Sequence, residues 1–446
     1  MSVLIRVAVL VGCCGLLFGY STASIADWLA PIADEFSLPT SGQETLTSSL
    51  VIACFFGAIA AGPLSGRLGR KGALATAFAL ALVGYAITLS HPGLTGLITA
   101  RVVIGLSVGI SSTVAPMFAG EATPVKHRGA VVALFQLAVT FGILAAYAVP
   151  LLAHGRIAWP EAIGGGGLIP ILGLLMLAAV PESPAWLMAR GRNTQAAEAA
   201  RRLQMPLPEP APHHAVKTAW AARLQIGTTL PVLLLCCGFF VLQNFSGIDG
   251  ILYYAATIFS ELGFPPGLAT LGATFGLGLV NVLATIVAIL TIDRVGRRAL
   301  AIYGSAAMIL GLSATVASHL WTLPMLGLVG LCLYIAAFAI SLGPLPYVLI
   351  AELAPSYFRE PGLSAGSATS WLFNAMIAFF FLSAVQAITL SGVFIFFTLI
   401  CCLSLVVSLI YLPETKGVSL EDIERDILAG VRLRDVGRAG SDPGKA

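Results

Sequence analysis

Charged side chains are scarce in this sequence. Only 10% of its 446 residues are Asp, Glu, Lys or Arg, whereas 58% are hydrophobic. Ordinary soluble domains carry about 25% charged residues. The composition therefore excludes an ordinary soluble protein, and the excess of apolar side chains must face lipid.

Sequence signals for metal, disulfide or catalytic chemistry are also missing. The cysteines number eight and include three adjacent pairs inside apolar runs, at 13–14, 236–237 and 401–402, without C-x-x-C spacing. His213 and His214 have no cluster of further ligands nearby. No set of nucleophile, base and oxyanion donors is recognisable. We therefore expect no metal site, no cofactor and no enzymatic activity.

Long apolar runs take up most of the chain. About 20 apolar residues cross ~30 Å of hydrocarbon at about 1.5 Å per residue. The runs predict an all-α membrane protein with twelve transmembrane helices, near 3–30, 46–66, 73–90, 94–119, 129–153, 161–180, 228–259, 267–292, 299–319, 323–353, 362–388 and 391–412.

The positive charges predict the orientation of these helices. Of the 24 Lys and Arg residues, all but Arg101 and Arg156 fall at the N-terminus, in every second loop or in the C-terminal tail. The positive-inside rule then places both termini in the cytoplasm and makes the chain a multi-pass protein of the cell membrane. Because the net charge of +3 comes from these loops, it does not indicate nucleic-acid binding.

An internal repeat divides the chain into two related parts. Three motifs recur in the same order at a spacing of about 230 residues: 121–128 with 352–359, 66–71 with 293–298, and 181–183 with 413–415. The repeat predicts an N-terminal six-helix bundle at 1–180, a cytoplasmic linker with short helices at 181–227, a C-terminal six-helix bundle at 228–412 and a cytoplasmic tail at 413–446.

The repeated motifs place acids and arginines at the cytoplasmic ends of helices, where arginine can bind carboxylates and helix-terminal carbonyls. We expect these residues to form a cytoplasmic latch that closes and opens as the two halves move; the alternative is a purely topological anchor. The residues are Arg70, Glu121, Arg128, Glu182, Asp293, Arg297, Glu352, Arg359 and Glu414.

Several motifs together resemble the sugar porters of the major facilitator superfamily, from about Gly12 to about Glu424. They include Phe18-Gly19-Tyr20, Gly69-Arg70-Lys71, Pro181 to Leu187, Gln243 to Tyr254, Trp371 with Asn374, and Pro413 to Gly417. The resemblance implies the major facilitator fold of two pseudo-symmetric six-helix halves. It also implies alternating-access transport of a monosaccharide, a hexose such as glucose, and we expect the monomer to function.

The resemblance implies a sugar site formed by polar and aromatic side chains inside apolar helices. An unpaired amide in an apolar helix costs a few kcal/mol, so each amide should face a cavity or a partner; the alternative is hydrogen bonding between helices. The implied residues are Phe18, Gln136, Gln243, Asn244, Asp249, Asn281, Trp371 and Asn374.

The run Gln243 to Gly250 combines polar groups with two glycines, which is typical of a helix that breaks where it lines a cavity. Tyr253 and Tyr254, just beyond, resemble the outer gate of the family. Gly105 and Gly109, by contrast, predict only close helix packing.

Ser21 departs from the pattern of the proton-coupled members. Their first helix reads Phe-Gly-Tyr-Asp, with the acid set against an arginine that corresponds to Arg101, whereas this chain has Ser21. A hydroxyl does not titrate at physiological pH, so this coupling position predicts facilitated diffusion (uniport). Arg101 is left to bind Ser21, carbonyls or water.

Two acids elsewhere in the chain keep proton symport open. Asp249 stands where the family usually has Asn, and could instead accept hydrogen bonds from sugar hydroxyls. Asp27 follows Ser21 by six residues, about 240° around the helix, and could instead lie near the outer surface.

Two further functions fit the sequence less well. A non-transporting sugar receptor would need an effector region, and it is disfavoured because only about 30 residues follow Pro413. An exporter of the same superfamily is disfavoured by Trp371, Asn374 and the 243–254 run.

Overall fold

The first half of the chain folds into helices that cross the bilayer repeatedly. The structure, a computed structural model, describes residues 3–153, 155–207, 229–355 and 359–437. The helices are α1 Val3–Ala23, α2 Leu29–Glu35, α3 Thr40–Leu89, α4 Leu94–Glu121, α5 Val125–Ala153, α6 Trp159–Gly164 and α7 Leu168–Ala179, with one 3-10 turn, Gly165–Gly167, joining the last two. We call this region the first half.

The remaining helices form the linker, the second half and the tail. The linker contains α8 Pro184–Ala189 and α9 Asn193–Arg202. The second half contains α10 Thr229–Phe245, α11 Ile248–Tyr253, α12 Ala255–Glu261, α13 Leu268–Val295, α14 Arg297–Trp321, α15 Pro324–Ile340, α16 Leu345–Leu353 and α17 Arg359–Ile410; α18 Leu420–Leu428 follows in the tail.

The helix lengths agree with the predicted twelve crossings. Ten helical stretches of the described residues are long and apolar enough to span a membrane. Two of these lie in α3 and α17, which have 50 and 52 residues. At about 1.5 Å per residue each is more than twice the ~30 Å hydrocarbon thickness. Each bends once, at Gly69 (φ 85°) and at Thr389 (φ 65°), and so supplies two crossings.

The first helix is shorter than predicted. A single helix was expected over 3–30, but α1 ends at Ala23 and α2 begins only at Leu29. Hydroxyls near the end of α1 donate to carbonyls of the preceding turn: Ser21 to Leu17 at 2.6 Å and Ser24 to Ser21 at 3.3 Å. Such local bonds also occur inside uninterrupted helices, for example from Thr285 to the Asn281 carbonyl, so they accompany the end of α1 without accounting for it.

Glycine residues allow the part of α3 before Gly69 to lie directly against α4. A Cβ at Gly57 would collide with the Leu106 carbonyl, one at Gly105 with the Leu50 carbonyl, and one at Gly109 with Cys54. The predicted packing role of Gly105 and Gly109 is therefore confirmed. Large apolar side chains such as Phe56 and Leu172 are exposed on the outside of the bundle, where lipid would cover them.

Three helices of the first half meet the second half: α1 contacts α11, α3 contacts α17, and α5 contacts α13. We call the end of the bundle that carries Arg70 and Arg297 the basic end. The other end, which carries Glu35 and Glu44, is the acidic end. The charge distribution predicts that the basic end faces the cytoplasm.

Candidate functional site

The helix break predicted between Gln243 and Gly250 is confirmed. α10 ends at Phe245, and α11 starts after Gly247, whose φ is 96°. Only glycine adopts this backbone conformation readily, and a Cβ here would also collide with the Phe397 ring. The break sits in the middle of a crossing and places Asp249, Tyr253 and Tyr254 beyond it.

Gln243 connects this break to a second one, between α15 and α16. Its amide nitrogen donates to the carbonyls of Leu342 at 3.2 Å and Gly343 at 2.6 Å. Those carbonyls lie where the helix is interrupted, so they have lost their own helical donors. Gln243 is 9% exposed, and its side-chain oxygen stays available as an acceptor beside both breaks.

An aromatic pair joins the two halves at the same site. The rings of Phe18 on α1 and Trp371 on α17 have centroids 5.2 Å apart, with their planes at 38°. Asn374 lies three residues after Trp371 and so shares its helix face. Both are 5% exposed, and the Asn374 side-chain oxygen is buried with no hydrogen-bond partner among the described residues. The site thus offers an apolar ring surface next to an unused acceptor.

Asp249 places a carboxyl group next to the side chain of Asn374. Its side chain lies within hydrogen-bonding reach of Asn374 and Tyr253, which links α11 to α17. A carboxylate binds a sugar hydroxyl more strongly than a neutral oxygen does, because the hydrogen bond is charge-assisted. Asp249, Asn374 and Tyr253 therefore form a polar cluster beside the aromatic pair.

Gln136 and Asn281 approach this region from α5 and α13. Tyr147 on α5 points to the second half, because its hydroxyl donates to Leu252 O at 2.6 Å. Gln136 precedes Tyr147 by eleven residues, a rotation of about 20° beyond three full turns, and thus faces the same way. The Tyr147 ring of α5 fills the space next to Gly278 of α13. Asn281 lies one turn after Gly278 and shares that face of α13. Both amides therefore lie on the helix faces that point to the other half, where Gln136 is exposed and Asn281 is buried.

Asn244 is more buried than Gln243, Asn281 and Asn374, and its donors are used within the second half. Its nitrogen donates to the Phe240 carbonyl at 2.7 Å and to the Ser370 hydroxyl at 3.3 Å, and the residue is 2% exposed. It binds α10 to α17. Asn244 and Gln243 thus both use their side-chain donors for bonding within the second half.

Among the described residues, Ser21 and Arg101 do not bond each other, but Tyr85 lies near both. The Ser21 hydroxyl lies 2.8 Å from the Tyr85 hydroxyl. Arg101, 3% exposed, donates from Nε to Leu46 O at 2.6 Å and from its guanidinium to Thr47 O at 3.0 Å. Of the three partners predicted for Arg101, carbonyls are the observed ones. Tyr85 was missed by sequence reasoning, because one tyrosine in an apolar run carries no distinctive spacing.

Asp27 lies in the turn beyond the end of α1 and does not face solvent. Its carboxylate oxygens are both buried and have no hydrogen-bond partner among the described residues; the nearby Thr274 hydroxyl donates instead to Thr270 O at 3.0 Å. Burial raises the pKa of Asp27 to about 7, moderated by Thr274. Asp27 therefore lies at the acidic end of the bundle, with its carboxylate enclosed beside Thr274 and Tyr147.

The predicted latch residues of the first half form one cluster at the basic end. Arg70 binds Glu121 through two hydrogen bonds of 2.8 and 2.7 Å, and the Ser183 hydroxyl donates to the same carboxylate. Glu182 accepts from the backbone N–H of Arg70 at 3.2 Å, where α3 restarts after Gly69. Burial raises the pKa of Glu182, opposed by these backbone N–H donors.

The second half repeats this arrangement almost residue for residue. Arg297 binds Glu352 at 2.9 Å, Thr415 donates to Glu352 at 2.6 Å, and Glu414 accepts from the Arg297 backbone N–H at 3.0 Å. In each half a glycine with a positive φ leaves room for the carboxylate. Gly69 makes room for Glu182, and Gly296 makes room for Glu414.

Each cluster lies within a single half, because the helices that it joins belong to that half. Arg128 is exposed at the start of α5, while the side chains of Asp293 and Arg359 lie outside the described part of the structure.

Tyr254 lies at the acidic end of the interface. Its hydroxyl donates to Ala378 O at 2.7 Å, and its ring stacks on Phe381 with centroids 5.0 Å apart. Tyr253 is buried beside Asp249. Tyr254 thus packs on α17 above the polar cluster, on the side where a gate toward the acidic end would stand.

Known proteins resemble this chain over nearly its whole length. A family model described as "Sugar (and other) transporter" matches residues 7–427. The galactose-proton symporter of Escherichia coli (strain K12) is 33% identical over 436 residues, covering 95% of this chain and 94% of that protein. The glucose facilitated diffusion protein of Zymomonas mobilis is 31% identical over 462 residues, covering 94% and 96%.

The fold is also similar to that of a solved transporter. The proton:xylose symporter XylE of E. coli, a major facilitator superfamily protein solved with bound 6-bromo-6-deoxy-D-glucose, superposes with a TM-score of 0.80 at 27% identity. The superposition covers 95% of this chain and 98% of that one.

Proposed function

Since the chain belongs to the sugar transporter family of the major facilitator superfamily, we propose that it carries a monosaccharide, a hexose such as glucose, by alternating access. The polar and aromatic groups between the halves support this proposal. Phe18 and Trp371 offer ring faces to the C–H surface of a sugar, and Gln136, Gln243 and Asn281 offer hydrogen-bonding amides.

We propose further that transport is facilitated diffusion. The observation that carries this proposal is the bonding at the coupling position. The Ser21 hydroxyl bonds Tyr85, and Arg101 donates to the backbone carbonyls of Leu46 and Thr47, with no carboxylate bound to it among the described residues. None of these groups exchanges a proton at physiological pH. The resemblance to a glucose facilitated diffusion protein is in keeping with this assignment.

Sugar uptake into proteoliposomes under an inward proton gradient tests this proposal. We expect labelled glucose to reach equilibrium without accumulating, because no proton accompanies it through Ser21. Ser21→Asp should gain gradient-driven accumulation, since a carboxyl near Arg101 can titrate, whereas the matched Ser21→Asn variant should not. Accumulation by the unmodified protein would overturn facilitated diffusion.

Proton symport through Asp27 is the second candidate, favoured by the buried, unbonded carboxylate of that residue. The pKa of Asp27 is raised to about 7 in the observed arrangement and would return toward its ordinary value on hydration. The proton therefore stabilises the closed acidic end, and this stabilisation is lost as pH rises from about 4 to about 7. If the sugar accumulates below pH 7 but not above it, and Asp27→Asn abolishes this accumulation, proton coupling is assigned to Asp27. If Asp249→Asn abolishes the accumulation instead, coupling is assigned to α11.

We propose that the protein resides in the cell membrane with the basic end in the cytoplasm and acts as a monomer. The restriction of Lys and Arg to alternate loops supports the orientation. Counterflow of labelled glucose, fructose, xylose and inositol in liposomes would identify the sugar. Failure of all four to exchange would contradict the monosaccharide assignment.

A further inference from the structure

Glu44, near the start of α3, is a buried acid whose carboxylate points into the other half. It is 2% exposed. One oxygen accepts from the backbone N–H of Ser383 at 2.6 Å, and the other accepts from the Ser383 hydroxyl at 2.6 Å. The two residues lie at the acidic end, on helices of opposite halves. A single residue of α17 thus holds both oxygens of a carboxylate from α3.

The backbone of α17 is adapted to this contact. An N–H inside a helix normally donates to the carbonyl four residues earlier, so the Ser383 N–H must share or leave that bond to reach Glu44. One turn earlier, Ala378 O accepts from the Tyr254 hydroxyl. Six residues later, Thr389 takes a positive φ of 65°. Two backbone groups of α17, the Ala378 carbonyl and the Ser383 N–H, are therefore bonded by side chains of other helices.

Glu44 has neutral donors and no cationic partner among the described residues. Breaking a buried pair with a cation would leave an uncompensated charge on each side. When the contact between Glu44 and Ser383 breaks, by contrast, water can replace both donors at the carboxylate, and no unpaired cation remains. The contact is therefore suited to opening and closing repeatedly.

The same stretch of α3 is fixed from within its own half. Arg101 donates to the carbonyls of Leu46 and Thr47, two and three residues after Glu44. The Gln386 amide also donates to the Thr40 hydroxyl at 2.5 Å. Residues 40–47 are thus bonded to α4 on one side and to α17 of the other half on the other.

We propose that Glu44 and Ser383 form a clasp that holds the acidic end shut, and that the clasp releases each time the transporter opens to that side. This inference rests on the proposed alternating access. It adds a gating residue that belongs neither to the sugar cluster nor to the coupling position, and it connects Arg101 to the gate through residues 46 and 47.

Hydrogen–deuterium exchange of the purified full-length protein, without sugar, tests the clasp. In Glu44→Gln the side chain loses its charge and one acceptor oxygen, so the acidic end should open more often. We expect the amides of 381–388 and 40–47 to exchange about tenfold faster, the effect of losing roughly one charge-assisted hydrogen bond. Glu35→Gln is the matched control, because Glu35 accepts from Trp159 at 2.7 Å within the first half; its exchange there should stay within about twofold of wild type.

Ser383→Ala provides a second variant that keeps the backbone N–H and removes only the hydroxyl. It should accelerate exchange in the same two segments, by less than Glu44→Gln does. Unchanged exchange in both variants would overturn the clasp. Because this measurement uses no sugar, unchanged exchange would leave the transport proposal standing. If the variants exchange faster but the unmodified protein shows no sugar counterflow, only the transport proposal is overturned.

Discussion

At the scale of single residues, the polar groups of the site differ in how many of their atoms are already bonded. The Gln243 nitrogen is bonded to two backbone carbonyls, which leaves its oxygen unused. Asn374 has an oxygen with no partner among the described residues. The Asn244 nitrogen is also bonded within the second half, but that residue is only 2% exposed, against 9% for Gln243. A sugar hydroxyl would thus find acceptors at Gln243 and Asn374 already held in place.

This difference predicts the effect of substitutions on sugar binding. Gln136→Ala, Gln243→Ala and Asn281→Ala should each weaken binding about fivefold or more, since a lost hydrogen bond costs about 1 kcal/mol. Binding to purified protein can be measured by calorimetry. Asn244→Ala is the internal comparison and should have a smaller effect on affinity. Affinities within twofold of wild type for all three variants would place the sugar elsewhere.

At the scale of elements, the breaks in the helices carry the site. The gap between α10 and α11 positions Asp249, and the gap between α15 and α16 exposes the carbonyls that hold Gln243. Both are tolerated in a membrane because side chains satisfy the freed backbone groups. The first break depends on Gly247, which combines a positive φ with close contact to Phe397.

Gly247→Ala should therefore destabilise the protein by about 2 kcal/mol, from backbone strain together with the clash against Phe397. We expect a lower melting temperature and slower transport. Gly238→Ala on the same α10 is the control, because nothing lies within 4 Å of a Cβ there. Equal melting temperatures for the two variants would mean that the break does not need glycine.

At the scale of the whole molecule, the basic-end clusters tie helices within each half. Arg70 with Glu121 and Arg297 with Glu352 give each half the same internal brace. The halves can then move as rigid bodies about the site between them. A latch between the halves would use these same groups. The side chains of Arg70 and Arg297 are only 13% exposed, so an arginine that leaves its carboxylate needs a new partner or water at its charge.

Glu121→Gln and Glu352→Gln test the role of these clusters in that movement. Each change removes the charge that binds an arginine, so we expect slower transport, a shift toward opening of the basic end and unchanged sugar affinity. The shift can be followed by cysteine accessibility. Glu198→Gln on the exposed face of α9 is the matched control. If rates and accessibility match that control, the clusters are topological anchors only.

The sequence by itself was sufficient for the number of crossings, the repeat and the helix break near Gly247, because each depends on local features: run length, motif spacing and backbone freedom. The same local reasoning failed at the end of α1, where the helix stops at Ala23 although the apolar run continues. It also left the enclosure of the Asp27 carboxylate unpredicted, because burial depends on which helices approach.

Only the tertiary structure decided how the polar side chains are paired. Ser21 meets a tyrosine 64 residues away, Arg101 binds a carbonyl 55 residues away, and Glu44 binds a serine 339 residues away. No residue pattern along the chain encodes such pairs, because a side chain in an apolar interior bonds whatever partner the packing of distant helices brings within about 3 Å.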